Sequence, residues 1–262
     1  MGNPPPHRAR KRFGQHFLHD GNIIERILRV LDPQPGDRLL EIGPGRGALT
    51  YPLLQRCDRL VAVELDRELA PVLQQQAAAH GQLEVINADI LEFDLSSLGE
   101  GRRLRVLGNL PYNISTPLMF HLLESAHLIR DMHFMVQKEV ALRIVANPGD
   151  SNYGRLSVML RQQCLCGYLF DVAPGCFKPP PRVDSAVVRM TPHPEALYDV
   201  GDQAVFSAIV QAAFGQRRKT IANSLKSLLD RETIAACDID PGLRAENLDV
   251  ADFAKLSRNL HP

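Results

Sequence analysis

Asn109, Leu110, Pro111 and Tyr112 place an amide, a rigid turn residue and an aromatic ring directly after the apolar run VLG. An amide oxygen and a neighbouring backbone carbonyl offer two acceptors for the hydrogens of a planar amino group. Pro111 stiffens the turn and brings no competing N–H. Tyr112 can stack on the ring that carries the amino group. The same four letters also fit a strand that simply ends in a turn, so other residues must decide between the two.

Three further stretches carry ligand chemistry. Glu41 to Ala48 reads EIGPGRGA, with Gly43, Gly45 and Gly47 in a G-x-G-x-G spacing. Such a turn between strand and helix lets a ligand approach backbone N–H groups closely. It is one residue short of the dinucleotide fingerprint, which argues against a nicotinamide-dependent dehydrogenase. Glu64 ends the next apolar run, 21 positions after Gly43. That is where an open α/β sheet puts the carboxylate that takes ribose hydroxyls. Asp89, in NADI, ends the third run and can accept from the exocyclic amino group of an adenine. Four successive strand ends thus imply a ligand with a ribose and an adenine, and room for a second ring.

These residues need a scaffold. Asp20 can cap a helix over NIIERILRVL, and RLLEIG, LVAVEL, LEVINADI, LRVLGN and HFMVQ read as strands separated by helical stretches. Alternating strands and helices imply an α/β, doubly wound parallel sheet. The pattern changes after Met190: TPHPEA reads as a linker, and only helical periodicity follows. The expected division is a domain over residues 1–194, beginning with a basic arm over 1–19, and an all-α domain over 195–262.

The 262 residues carry 45% hydrophobic and 23% charged side chains, enough for a core without metal or disulfides. Five cysteines without a zinc-like array fit a reducing compartment and no metal site. No apolar run is long enough to span a membrane, and no signal-peptide segment is seen at the start, so a cytoplasmic protein is expected. Net charge is zero, yet bases cluster at Arg10, Lys11 and Arg12 and again at Arg217, Arg218 and Lys219. Such local patches are the footprint expected for nucleic acid.

KRFGQHFLHD, LEIGPGRGALT, AVELDREL, INADIL, GNLPYNIST, FMVQKEVALR, YGRLSVM, FKPPPRVDSAVV and AFGQRRKTIANSL appear in this order. Together they resemble the ribosomal RNA adenine N6-dimethyltransferase family over nearly the whole chain. The resemblance implies a Rossmann-like methyltransferase fold with a small C-terminal helical domain, and S-adenosyl-L-methionine as cofactor. It implies dimethylation of two adjacent adenines in the 3′-terminal hairpin loop of 16S ribosomal RNA, within the assembling small subunit. No element of the sequence requires a dimer, so a monomer is expected. The family's cofactor contacts fall on His16, Leu18, Gly43, Glu64, Asp89 and Asn109, with Gly45, Leu65 and Ile90 as neighbours. Catalysis falls on Asn109, Leu110, Pro111 and Tyr112, with Phe177 on the base's other face. His16 is a departure, since many relatives have Asn there. Two alternatives share the fold: a resistance-type enzyme acting on large-subunit RNA, and a non-catalytic assembly factor.

Overall fold

Residues 16–99, 101–216 and 218–260 are described by a computed structural model. Among the described residues the first elements are β1 (Phe17–Leu18) and α1 (Gly21–Leu31). Asp20 starts α1 by accepting from the N–H groups of Asn22 and Ile23, satisfying donors that have no partner inside the helix. Then follow β2 (Arg38–Ile42), α2 (Thr50–Leu54), β3 (Arg59–Glu64), α3 (Leu69–Ala77), β4 (Gln82–Asn87), β5 (Leu104–Asn109), α4 (Ser115–Glu124) and β6 (Ile129–Gln137). After α5 (Lys138–Val145) and α6 (Arg155–Gln163) come β7 (Cys164–Val172), β8 (Phe177–Lys178) and β9 (Ser185–Pro192).

Seven strands form one sheet in the order β4-β3-β2-β5-β6-β9-β7. β4, β3, β2, β5 and β6 run parallel, and β9 lies antiparallel to β6. The runs RLLEI, LVAVE and LRVLGN are near-continuously apolar because parallel strands are covered on both faces. Leu28, Leu31, Leu39, Leu53, Leu60 and Leu73 fill the core beside them. Successive strands step outward from β2 on one side and from β5 on the other, so the order reverses between β2 and β5. Gly108 sits at this seam: a Cβ there would lie 2.5 Å from the Ile42 carbonyl oxygen. Only hydrogen fits. β1 and β8 form a separate antiparallel pair, Leu18 opposite Phe177, which sequence periodicity did not predict.

The chain divides into two compact units. The first contains residues up to Ala141 with Gly167–Pro192; the second contains Leu142–Cys166 with residues from His193 onward. Leu142–Cys166, assigned by sequence to the first domain, thus groups with the helical part. In that second unit α7 (Gln203–Gly215) packs on α6 and on α10 (Val250–Arg258). Phe214 meets the rings of Tyr153 and Phe253 at 5.9 and 5.7 Å between centroids. The run KTIANSLKSLL, part of the stretch of helical periodicity, is α-helical only over α8 (Ile221–Ser224), and α9 (Arg231–Ala236) follows. Among the described residues no helix is long and apolar enough to cross a membrane.

At the start of β5, Arg105 is buried between two acids. Its Nη1 donates to Asp37 Oδ2 at 2.7 Å and its Nε to Asp131 Oδ1 at 3.0 Å. Nη1 and Nη2 also donate to the carbonyls of Asp32 and Leu31, which ties the end of α1 to the sheet. Removing one partner of such a set strands the others in low dielectric. Arg105→Ala should therefore cost about 3–5 kcal/mol of stability, measured by urea unfolding at neutral pH. An unchanged midpoint would show that the two acids remain solvated.

Candidate active site

The glycine turn leaves β2 and bends back by a hydrogen bond from Gly43 N–H to Val63 O, 2.9 Å. Gly45 has φ 58°, a left-handed value that costs other residues energy. This conformation aims its N–H at Glu64 Oε2, 3.0 Å away. The other oxygen, Oε1, accepts from Asp66 N–H at 2.9 Å. Glu64 is buried, and burial raises its pKa against these backbone hydrogen bonds. Each oxygen has a second lone pair, so the carboxylate can still accept two hydroxyls. Asn87 Nδ2 donates to the Glu64 carbonyl at 2.7 Å and fixes the loop from the next strand. Asp89 Oδ1 accepts from Leu91 N–H at 2.9 Å; Asp89 therefore closes a turn and also lines the cleft.

NLPY follows β5. Asn109 Nδ2 donates to the His16 carbonyl at 2.9 Å. A carbonyl can only accept, so the amide orientation is fixed and Oδ1 faces away from His16. Leu110 N–H donates to Met135 O, 3.1 Å, anchoring the turn to β6. Tyr112 OH and Ser185 Oγ share a hydrogen bond of 2.7 Å, and burial raises the phenol's pKa.

One cleft of about 260 Å³ joins these parts. It brings together His16, Leu18, Gly43, Gly45, Glu64, Leu65, Asp89, Ile90, Asn109, Leu110, Pro111 and Tyr112, the whole set expected from sequence except Phe177. That ring is 2% exposed and packs in the core cluster. It stands opposite Leu18 in the β1–β8 pair, beside the cleft that Leu18 lines, and is not itself a lining residue. Arg10, Lys11, Arg12 and Arg217 lie outside the described residues. Arg218 and Lys219 are exposed in the turn after α7, not on a helix, with Lys219 N–H donating to Gln216 O.

Sequence reasoning passed over Glu41 and Thr50. Glu41 is 2% exposed, lines the cleft and accepts from Thr50 Oγ1 at 2.6 Å. Burial raises its pKa to about 7, opposed by the Thr50 hydrogen bond and reinforced by the charge of Glu64. The signal was an acid inside the apolar run LLEI. Arg46 and Phe17 were also missed: both line the cleft, with the guanidinium 4.5 Å above the ring.

This donor set suits a nucleoside carrying a positive charge. Glu64 can take ribose hydroxyls, Asp89 an adenine amino group, and Leu65 and Ile90 supply apolar contact for a ring. The buried Glu64 carboxylate beside the buried acid Glu41 favours a cation and disfavours a pyrophosphate. The fold and the cleft define an S-adenosylmethionine-dependent methyltransferase of the Rossmann-like class. The sequence profile described as Ribosomal RNA adenine dimethylase matches residues 6–261, and the chain belongs to that family. It is 53% identical over 255 residues to the Ribosomal RNA small subunit methyltransferase A of Pseudomonas syringae pv. tomato, covering 97% of this chain and 95% of that one. The protein of the same name from Methylococcus capsulatus is 53% identical over 98% of this chain and 99% of its own. Among solved structures, a dimethyladenosine transferase from Plasmodium falciparum superposes with a TM-score of 0.77 at 26% identity, over 92% of this chain and 96% of that one. The 23S rRNA methyltransferase ErmE gives 0.71 at 27%, over 93% and 99%.

Glu41 yields a pH prediction. Its folded pKa, about 7, lies above the ordinary 4.5. The folded chain therefore keeps a proton that the unfolded chain releases. The stability from this group is complete below about 4.5 and is lost as pH rises through about 7. Relative to wild type, Glu41→Gln should gain up to about 3 kcal/mol between acid and mildly alkaline pH, read from denaturant midpoints. Parallel pH profiles would show that Glu41 titrates at its ordinary value in the folded chain.

Proposed function

We propose that this chain transfers methyl groups to the N6 atoms of two adjacent adenines in the 3′-terminal hairpin loop of 16S ribosomal RNA. It would act as a cytoplasmic monomer on the assembling small subunit. The observation that carries this reading is the fixed amide of Asn109, whose Oδ1 is turned from His16 in the cleft that also holds Glu64 and Asp89. The relatives at 53% identity, named for the small subunit, support it over the large-subunit alternative.

Bound S-adenosylmethionine supplies an electrophilic methyl on a sulfonium. Glu64, Asp89, Leu65 and Ile90 would hold its ribose and adenine, with Gly43, Gly45, His16 and Leu18 beside them. The target nitrogen is a weak nucleophile because its lone pair is delocalised into the ring. Asn109 Oδ1 and the Leu110 carbonyl would each accept one amino hydrogen and favour a pyramidal nitrogen. Tyr112 would stack on the base and Pro111 keep the turn rigid. No side chain has to remove a proton before attack, since the nitrogen becomes acidic only once the new N–C bond forms. Holding nitrogen and methyl in line supplies most of the acceleration.

A base inside a helix cannot reach the cleft, so it must be splayed out, and loop bases are already partly unstacked. Arg10, Lys11, Arg12, Arg217, Arg218 and Lys219 would hold phosphates without reading sequence. The helical unit would dock on RNA in the subunit.

Two measurements test this. Labelled methyl transfer to under-methylated small subunits, with nucleosides resolved by mass spectrometry, should yield dimethyladenosine at adjacent loop positions. Asn109→Ala should lower that transfer by about 100-fold or more; transfer only to large-subunit RNA would overturn the reading. In calorimetry, Glu64→Ala should weaken cofactor affinity by about tenfold or more, and unchanged affinity would remove Glu64 from the ribose site.

A further inference from the structure

The His16 side chain does something that its backbone does not. Its imidazole stacks on Tyr112, with centroids 5.6 Å apart and planes 27° from parallel. Its Nδ1 faces the Pro179 carbonyl at 2.8 Å. A carbonyl only accepts, so Nδ1 carries the hydrogen. The ring is thus planar, held at its edge by an N–H donor, and laid on the tyrosine face reserved for the target base. Its backbone carbonyl separately orients Asn109. Rotation about Cα–Cβ would remove the ring from Tyr112 and leave that carbonyl in place.

Resting on the reading of the site given above, we propose that the His16 imidazole is an internal stand-in for the target adenine. It closes the base slot on Tyr112 until substrate displaces it, and so acts as a specificity-determining residue. An incoming ring must exceed the imidazole stack and its Pro179 hydrogen bond. A base held in the slot only by its own stacking gains little by the exchange. An adenine that also gives two amino hydrogens to Asn109 and Leu110 gains more. The slot is therefore selective before any chemistry occurs. Closure also lowers apparent affinity by the fraction of time the slot stands open.

The test is a mutant cycle on binding, not turnover. The probe is a hairpin-loop RNA that keeps adenine at the target positions and carries 2-aminopurine at a flanking loop position as reporter, titrated by fluorescence into protein saturated with S-adenosylhomocysteine. His16→Ala and His16→Asn should each bind the probe about tenfold more tightly than wild type, the scale of one base–aromatic stack. In a Tyr112→Ala background the same changes should bring no gain, because the competition is for that ring. Equal or weaker binding by both His16 variants would overturn the proposal, as would an equal gain without Tyr112. If wild type forms no dimethyladenosine, the functional reading fails. If it does and the cycle shows no coupling, only the role of the His16 ring falls.

Discussion

The site depends on the closeness of β2 and β5. These parallel neighbours stand about 4.8 Å apart and send their following segments in opposite directions across the sheet. A crevice opens at their carboxyl ends, the general consequence of reversing strand order in an open α/β sheet. The glycine turn grows from one lip and NLPY from the other. Gly108 lets the strands meet, because its missing side chain leaves room for the Ile42 carbonyl. A methyl group there would push apart the two strands whose ends carry the glycine turn and NLPY. Specificity for two ligands at once is therefore set first by backbone spacing, and only then by side chains.

The two ends of the sheet treat charge differently. At the start of β5 the acids Asp37 and Asp131 are neutralised by Arg105 within hydrogen-bond distance. At the carboxyl end Glu41 and Glu64 lie in low dielectric, and among the described residues neither has an ion-pair partner. Desolvation raises both pKa values, and each carboxylate is sustained only by neutral donors. Such a cleft is disfavoured by its own charge and is relieved by a ligand that brings positive charge or hydroxyl donors. The structural end of the sheet is electrostatically closed, and the binding end is left open.

Much of this was legible in the sequence because it follows from local rules. Glycines at a strand–helix turn, Glu64 at its offset and Asp89 at the next strand end report on their own strands, and parallel topology gathers them. The helix over NIIERILRVL announced itself through Asp20 and its apolar spacing. The misses are long-range. Glu41 looked like a polar interruption until Thr50 was seen to satisfy it. Phe177 packs beside Leu18 in a strand pair of two residues each, which local spacing does not announce. Leu142–Cys166 has the same helical periodicity wherever it packs, so its grouping with the C-terminal helices could not be read from spacing. The bend at Arg218 and Lys219 cut short a pattern that local propensity would have continued.

The two halves of the cleft are also joined by residues that no pattern marks as strand. Phe17 leans on the glycine turn: a Cβ at Gly45 would lie 3.1 Å from its ring. Arg46, from the turn itself, places its guanidinium over that ring. One residue earlier, the His16 carbonyl holds the Asn109 amide. One residue later, Leu18 pairs with Phe177 and anchors the segment to β8. Three consecutive residues therefore touch the cofactor-side turn, the base-side turn and the core. The contact to the glycine turn and the hydrogen bond that sets the direction of Asn109 Oδ1 thus come from adjacent residues. The acceptor that would orient the target nitrogen is thus held by the same segment that packs on the glycine turn, a segment whose regular structure is a two-residue strand.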